Sequence, residues 1–330
     1  MDERLNELFE KSSYLSDLTL IKKAYTTAQA MHNGQFRDSG EEYIIHPIEV
    51  AKTISDMHGD ESMICASLLH DTLEDTEYTA EDLVYDFGEE VFRLVDGVTK
   101  EEIGFKAKKE RDILYKYKLV LYSYKDIRVM IIKLSDRLHN MKTLEFKNQS
   151  SIIHTSEETT LFYAPIAGIL GMNDMKDNLY DLSFKNLNEE EYNKALFFRT
   201  AILYLSDIDE KIESLKTSIE QLGLEASIFA EIDSVYDTYL KLMNNNYNIY
   251  RIYAVTEFKK ELKDKGFKDV IVLTNEEYQR MKDGITISFV HGTPIQNEFE
   301  KKGLINDLID INCRYINDVN KEVILQKIRY

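Results

Sequence analysis

Cys65-Ala66-Ser67-Leu68-Leu69-His70-Asp71-Thr72-Leu73-Glu74-Asp75 gathers one histidine and three acids into its last six residues, directly behind an apolar run. Asp60 has the chemistry of an N-cap, and Met63, Ile64, Ala66, Leu68 and Leu69 give the segment a mostly apolar helical body. If that helix runs on through Asp75, Glu74 stands one turn above His70 and Asp75 one turn above Asp71. One helix end then offers an imidazole–carboxylate pair, with two more carboxylates a turn away. Acids this close repel one another, so the fold needs a cation beside them, and a bound metal is the simplest one. A solvated acidic helix end is the competing reading of His-Asp alone, and the rest of the chain decides between them.

Composition narrows the choice of function. The 330 residues, 43% of them apolar, allow two domains with real cores. A net charge of −18 argues against a nucleic-acid backbone binder, which needs a basic face to displace counterions. It leaves room for an anionic small molecule, because a metal and a few local cations can hold phosphates inside an acidic protein. Cys65 and Cys313 are too few for a disulfide framework and lack zinc-motif spacing, so Cys65 is expected in the core. Met1-Asp2-Glu3-Arg4 has no apolar segment behind it, so no signal peptide is read, and no apolar run approaches the ~18 residues that span a membrane. A cytoplasmic location with no membrane partner is the expectation.

Helical periodicity fills the first 200 residues, which predicts an all-α N-terminal half. Residues 19–33 read as a helix closed near Asn33-Gly34, and a polar loop follows to Gly40. Tyr43-Ile44-Ile45-His46-Pro47 leads into the next helix, with Pro47 suited to its first position and His46 just before it. Thr79-Ala80-Glu81-Asp82 has the form of a capping box for a helix ending near Phe87-Gly88, with residues 89–99 helical again. Lys100 to Arg111 is highly charged and reads as a surface segment, with mobility as one expectation and a solvated helix face as the other. Over 126–145, Ile127, Met130, Ile131, Leu134, Leu138 and Met141 make a buried stripe. Asp136, His139, Asn140 and Thr143 form a second stripe without Lys or Glu, as expected of a face turned to a site. His139 is expected to support the site rather than to ligate. After helical connectors, 206–222 reads as an amphipathic helix and 256–265 as a short one. Residues 269–274 and 284–290 are β-branched, turn-bounded runs that predict strands, so the last 130 residues are expected to be α+β.

The motifs His32-Asn33-Gly34-Gln35-Phe36-Arg37, Tyr43 to Pro47, Leu68 to Thr76 and Ile127-Arg128-Val129 with Lys133-Leu134-Ser135-Asp136-Arg137-Leu138-His139-Asn140-Met141 resemble, in order, the hydrolase domain of RelA/SpoT homologues. These are HD-superfamily enzymes of alarmone metabolism. The resemblance implies an HD hydrolase domain over 1–155, a helical linker over 156–200 and a degenerate synthetase-like α+β domain over 201–330. It makes His46, His70, Asp71 and Asp136 the metal ligands, usually of manganese; the ligand set also suits Fe²⁺ or Zn²⁺. Glu74 and Asp75 match the catalytic acid pair, Arg37 the guanine-contacting arginine, and Ser39, Asn140 and Thr143 nucleotide-contacting positions. The implied reaction is hydrolysis of the 3′-pyrophosphate of ppGpp or pppGpp, with a guanine nucleotide as partner and homo-oligomerisation left open. Asp38 departs from the family, which carries a basic residue there. Ala230-Glu231-Ile232-Asp233 stands where a synthetase carries its phosphate-gripping Arg and Lys, so no synthetase activity is expected. Two alternatives remain at this point: an HD phosphohydrolase of another nucleotide such as NADPH, and a nucleotide sensor without turnover.

Overall fold

The computed structural model describes residues 3–100, 108–267, 269–290, 295–297 and 303–316. The N-terminal part is helical: α1 Glu3–Lys11, α2 Thr19–Met31, α3 Ile45–Asp56, α4 Glu61–Leu69, α5 Thr72–Asp75, α6 Ala80–Val98, α7 Lys108–Lys125 and α8 Arg128–Lys142. α4 is the axis of this bundle. Met63 to Leu69 are all buried, and α2, α3, α6 and α8 pack around them. Asp60 caps α4 by accepting from the Met63 amide at 2.9 Å, and Arg128 at the start of α8 pairs with the same carboxylate at 2.9 Å. The capping box of Thr79 and Asp82 opens α6, and Gly88, at φ +82°, kinks it where the sequence placed a helix end. Cys65 is buried in the core.

Two local expectations need correction. The key helix does not run unbroken to Asp75: it stops at Leu69 and resumes as α5. His70 Nδ1 donates to the Ser67 carbonyl at 2.8 Å and the Thr72 hydroxyl to the Leu69 carbonyl at 2.7 Å, so side chains occupy acceptors that an unbroken helix would use. His46 lies inside the first turn of α3 rather than before it, with Ile44 as N-cap and Pro47 third in the helix. Of the charged 100–111 stretch, residues 101–107 lie outside the described residues, and α7 begins at Lys108.

Beyond α8 come α9 Gln149–Glu158, a π-helical turn Thr159–Tyr163, α10 Ala164–Ile169, α11 Asn173–Leu187, α12 Glu189–Leu205 and α13 Ile208–Glu220. A small sheet unit follows. β1 Ser227–Ile232, α14 Val235–Met243, β2 Tyr250–Val255, α15 Lys259–Asp264, β3 Val270–Leu273 and α16 Asn275–Asp283 give a three-stranded sheet in the order β1-β2-β3. β1 and β2 are antiparallel from Ser227↔Val255 to Ile232↔Tyr250; β2 and β3 are parallel from Ile252↔Val270 to Val255↔Leu273. Ile219, Ile228, Ile252, Ala254, Leu262 and Val272 make its own apolar core.

Residues 284–290 are not a strand. They form a 3-10 turn at Gly284–Thr286 and α17 Ile287–Val290. Ile285, Thr286 and Ser288 are all buried, an all-round burial that a one-faced strand cannot give. Gly284, at φ +59°, lies against Gly171 so closely that any added Cβ would meet the Gly171 backbone, and the Ile285 amide donates to the Leu170 carbonyl at 2.9 Å. The turn therefore docks on the helical domain. Ile285, Ile295, Leu304, Leu308, Ile309 and Ile311, the last three from α18 Ile305–Ile316, join the core of the helical bundle. His291 to Pro294, read as a turn, lie outside the described residues.

Candidate metal centre

Four elements converge at the end of α4. α3 brings His46, the α4–α5 junction brings His70 and Asp71, α8 brings Asp136, and α5 sets Glu74 and Asp75 at the rim. Among the described residues, one nitrogen or oxygen each from His46, His70 and Asp136 lie within 4.8 Å of one another. His46 Nε2 is 3.2 Å from His70 Nε2 and 3.1 Å from Asp136 Oδ1. Asp71 stands beside these three, with Oδ1 at 3.2 Å from His70 Nε2 and Oδ2 at 3.6 Å from His46 Nε2. The helix break thus has a use: it turns His70 and Asp71, neighbours in sequence, toward one point.

The chemistry of the donor set asks for a cation. His70 Nδ1 faces a carbonyl, so it must carry the proton, which leaves a lone pair on Nε2. That lone pair faces two carboxylates and a second imidazole in a buried pocket. Burial alone would depress His70, but Asp71 and Asp136 outweigh it and draw the imidazolium up to about 9. His46 instead lies below its ordinary value, chiefly through burial. A pocket that pulls a proton this hard onto one of its own ligands would equally hold a divalent metal.

The surroundings orient the ligands. Lys133 donates to Asp136 Oδ2 at 2.5 Å, and Asn140 Nδ2 to Asp136 Oδ1 at 2.5 Å. His139 Nδ1 meets His46 Nδ1 at 2.8 Å, so His139 contacts one of the candidate ligands. Burial and the neighbouring His46 push His139 down to about 3, which keeps it neutral. Asp136, His139, Asn140 and Thr143 do face the site as one stripe. Burial works against the Asp136 carboxylate, but Lys133 and the two histidines hold it well below the usual carboxylate range.

Glu74 and Asp75 both reach solvent. Glu74 accepts a hydrogen bond from the Lys100 amide, and partial burial of its carboxyl raises it above the ordinary value against the pull of Lys133. Asp75 Oδ2 accepts from the Tyr43 hydroxyl at 2.8 Å. On one side of this rim lies a cavity of about 250 Å³ lined by Arg37, Ser39, Tyr43, Asn140, Thr143 and Lys147, among others. Arg37 Nη2 donates to Asn140 Oδ1 at 2.7 Å, while its Nη1 is buried without a hydrogen-bond partner. Asp38, the departure from the family pattern, pairs with Lys147 at the same cavity. On the other side a more open cleft of about 860 Å³ is lined by Gln35, Glu74, Asp75, Glu77 and Asp82, among others. Two supporting residues escaped the sequence reading, although both lie in the quoted motifs: Lys133 and Tyr43.

The chain is similar to known proteins. Residues 24–173 match the family model of the HD domain. A GTP pyrophosphokinase of Myxococcus xanthus is 34% identical over 254 residues, covering 74% of this chain and 33% of that protein. A guanosine-3′,5′-bis(diphosphate) 3′-pyrophosphohydrolase of Haemophilus influenzae is 36% identical over 236 residues, 70% of this chain and 35% of that protein. The chain therefore spans about a third of the length of the curated relatives it matches. A solved metazoan SpoT orthologue that hydrolyses ppGpp matches at 25% identity over 53% of this chain and 95% of that one, with a TM-score of 0.37. No helix among the described residues is long and apolar enough to cross a membrane.

Proposed function

We propose that this relative of the RelA/SpoT homologues, with its HD domain at residues 24–173, is a metal-dependent hydrolase that removes the 3′-pyrophosphate of ppGpp or pppGpp. The observation that carries the reading is the convergence of His46, His70, Asp71 and Asp136 beside an acid pair and an arginine-bearing cavity. Water adds to the 3′-linked phosphorus, the ester P–O bond to the ribose breaks, and GDP or GTP leaves alongside pyrophosphate. A divalent cation, Mn²⁺ in this reading, supplies charge neutralisation at the phosphoryl oxygens. Glu74 and Asp75 orient the attacking water and take its proton; the raised carboxyl of Glu74 suits proton exchange nearer neutral pH. Arg37, steadied by Asn140, stacks on the guanine as a flat cation, and Ser39 and Thr143 hold the nucleotide. A cytoplasmic location follows from the substrate class.

The acid at position 38 favours weighing a second nucleotide such as NADPH, since Asp38 occupies Lys147 at the cavity. The sheet unit is proposed to make no alarmone. Asp233 is the only acid of Ala230–Asp233 that is buried, and it faces Lys241 and Arg251 rather than leaving them free for phosphates. The test is to incubate the purified chain with Mn²⁺ and a panel of ppGpp, pppGpp and NADPH. Release of pyrophosphate with GDP or GTP is expected; turnover of NADPH alone selects the other substrate, and tight binding without turnover selects a sensor. With Asp71→Ala, ATP and GDP should yield no ppGpp.

A further inference from the structure

Tyr43 stands where the nucleotide cavity and the acid pair meet. Its hydroxyl lies 2.8 Å from Asp71 Oδ2 and 2.8 Å from Asp75 Oδ2, and its side also lines the cavity of Arg37 and Asn140. A phenol has one proton, so both carboxylates are held by sharing it or by a second proton between the oxygens.

The ring has little freedom to drift. It stacks on His32 with centroids 4.6 Å apart and planes 22° from parallel, and it meets His46 edge-on at 6.3 Å. The Tyr43 amide donates to the Gln35 carbonyl at 3.0 Å. Gln35 in turn donates from Nε2 to the Asp75 carbonyl at 2.9 Å, and its Oε1 meets His32 Nδ1 at 2.8 Å. His32, Gln35 and Tyr43 thus form a closed bracket that holds Asp75 by its backbone and by its carboxylate. The bracket is continuous with the loop that carries Arg37 and Ser39.

We propose that Tyr43 is a positioning residue of the hydrolysis: its hydroxyl fixes the proton acceptor Asp75 relative to the ligand Asp71, while its ring walls the nucleotide cavity. The inference rests on the hydrolase reading above. Asp75 on its short exposed helix would otherwise sample several rotamers, and displacement of a reacting group by about 1 Å can cost about a hundredfold in rate. Loss of the hydroxyl should therefore act on the chemical step rather than on affinity.

Tyr43→Phe removes the hydroxyl and keeps the ring on His32. Expected are a kcat about ten- to a hundredfold lower, a KM for ppGpp within about twofold, and unchanged Mn²⁺ stoichiometry. A kcat near the wild-type value, or a rise in KM alone, would overturn the proposal, as would loss of the metal, which makes Tyr43 a support of the ligand only. A second readout needs no turnover: zinc-loaded protein carrying ¹³C-carboxyl aspartate, with Asp71 and Asp75 assigned from Asp71→Asn and Asp75→Asn. Both resonances should move in Tyr43→Phe, and either one standing still contradicts the bridge. If the wild-type chain turns over no nucleotide, the hydrolase reading fails, while these resonances still decide whether Tyr43 joins the two acids.

Discussion

Two regions of this molecule bury acid, and they solve the problem in opposite ways. In the sheet unit, Asp233 is 4% exposed and is met by Lys241 and by Arg251 at 2.7 Å, so one carboxylate has two cations of its own. At the end of α4, Asp71, Asp136, His46 and His70 aim acceptors at one point, and Lys133 offsets only Asp136 Oδ2. The first arrangement is complete as it stands and fastens β1 to α14 and β2. In the second, the donors share one point and draw a proton onto His70. Burial of polar groups is common to both; only the convergence on one point marks a place built for something else.

The largest effect that sharpens this contrast is at the rim of the second site. Glu74→Gln with Asp75→Asn should keep fold and metal and lose at least about a hundredfold in hydrolysis rate, the scale of general acid–base work. Steady-state rates beside circular dichroism and metal content check it; a double variant at near wild-type rate removes the pair from the mechanism. The matching change in the sheet unit is Asp233→Ala. It should lower unfolding stability by about 2 kcal/mol, less than a fully buried pair because Lys241 and Arg251 can turn to solvent. Turnover per folded molecule should stay as in the wild type, and a loss there would erase the distinction between the regions.

A smaller effect concerns Glu158, which is paired with Lys116 and with Arg137, the neighbour of Asp136 on α8. Burial alone would raise its carboxyl, yet Arg137 and Lys116 together hold it well below the ordinary 4.5. Its folded value is thus below its unfolded one, so its contribution is full above about pH 5 and is lost as the pH falls. Thermal melts from pH 7 down to pH 4 should show the wild type losing stability, with a shallower slope for Glu158→Gln. Equal slopes would mean that other groups carry the acid sensitivity.

Much of this was legible in the sequence, for physical reasons that differ by region. The caps of α4 and α6 and the stripes of α8 depend on spacing within one element, and spacing is what a sequence displays. The break at His70 was not legible, because it arises from competition between His70 and Thr72 side chains and the backbone for carbonyls. Ile285-Thr286-Ile287-Ser288-Phe289-Val290 has strand composition, but contact with Leu170 and Gly171 overrides local preference there. Lys133 lies in a quoted motif, and only the fold shows its amine on Asp136. Tyr43 lay in a quoted motif, yet its role depends on Asp71 and Asp75, which are 28 and 32 residues away.

The central claim is that the α4 site is built to hold a metal ion and the sheet site is not. Wild type, Asp136→Ala and Asp233→Ala would be stripped with chelator, reloaded with Mn²⁺, washed and assayed for metal by elemental analysis. The account predicts about one equivalent in the wild type and in Asp233→Ala, and below about a tenth in Asp136→Ala. Full occupancy in Asp136→Ala, or loss of metal in Asp233→Ala, would contradict it.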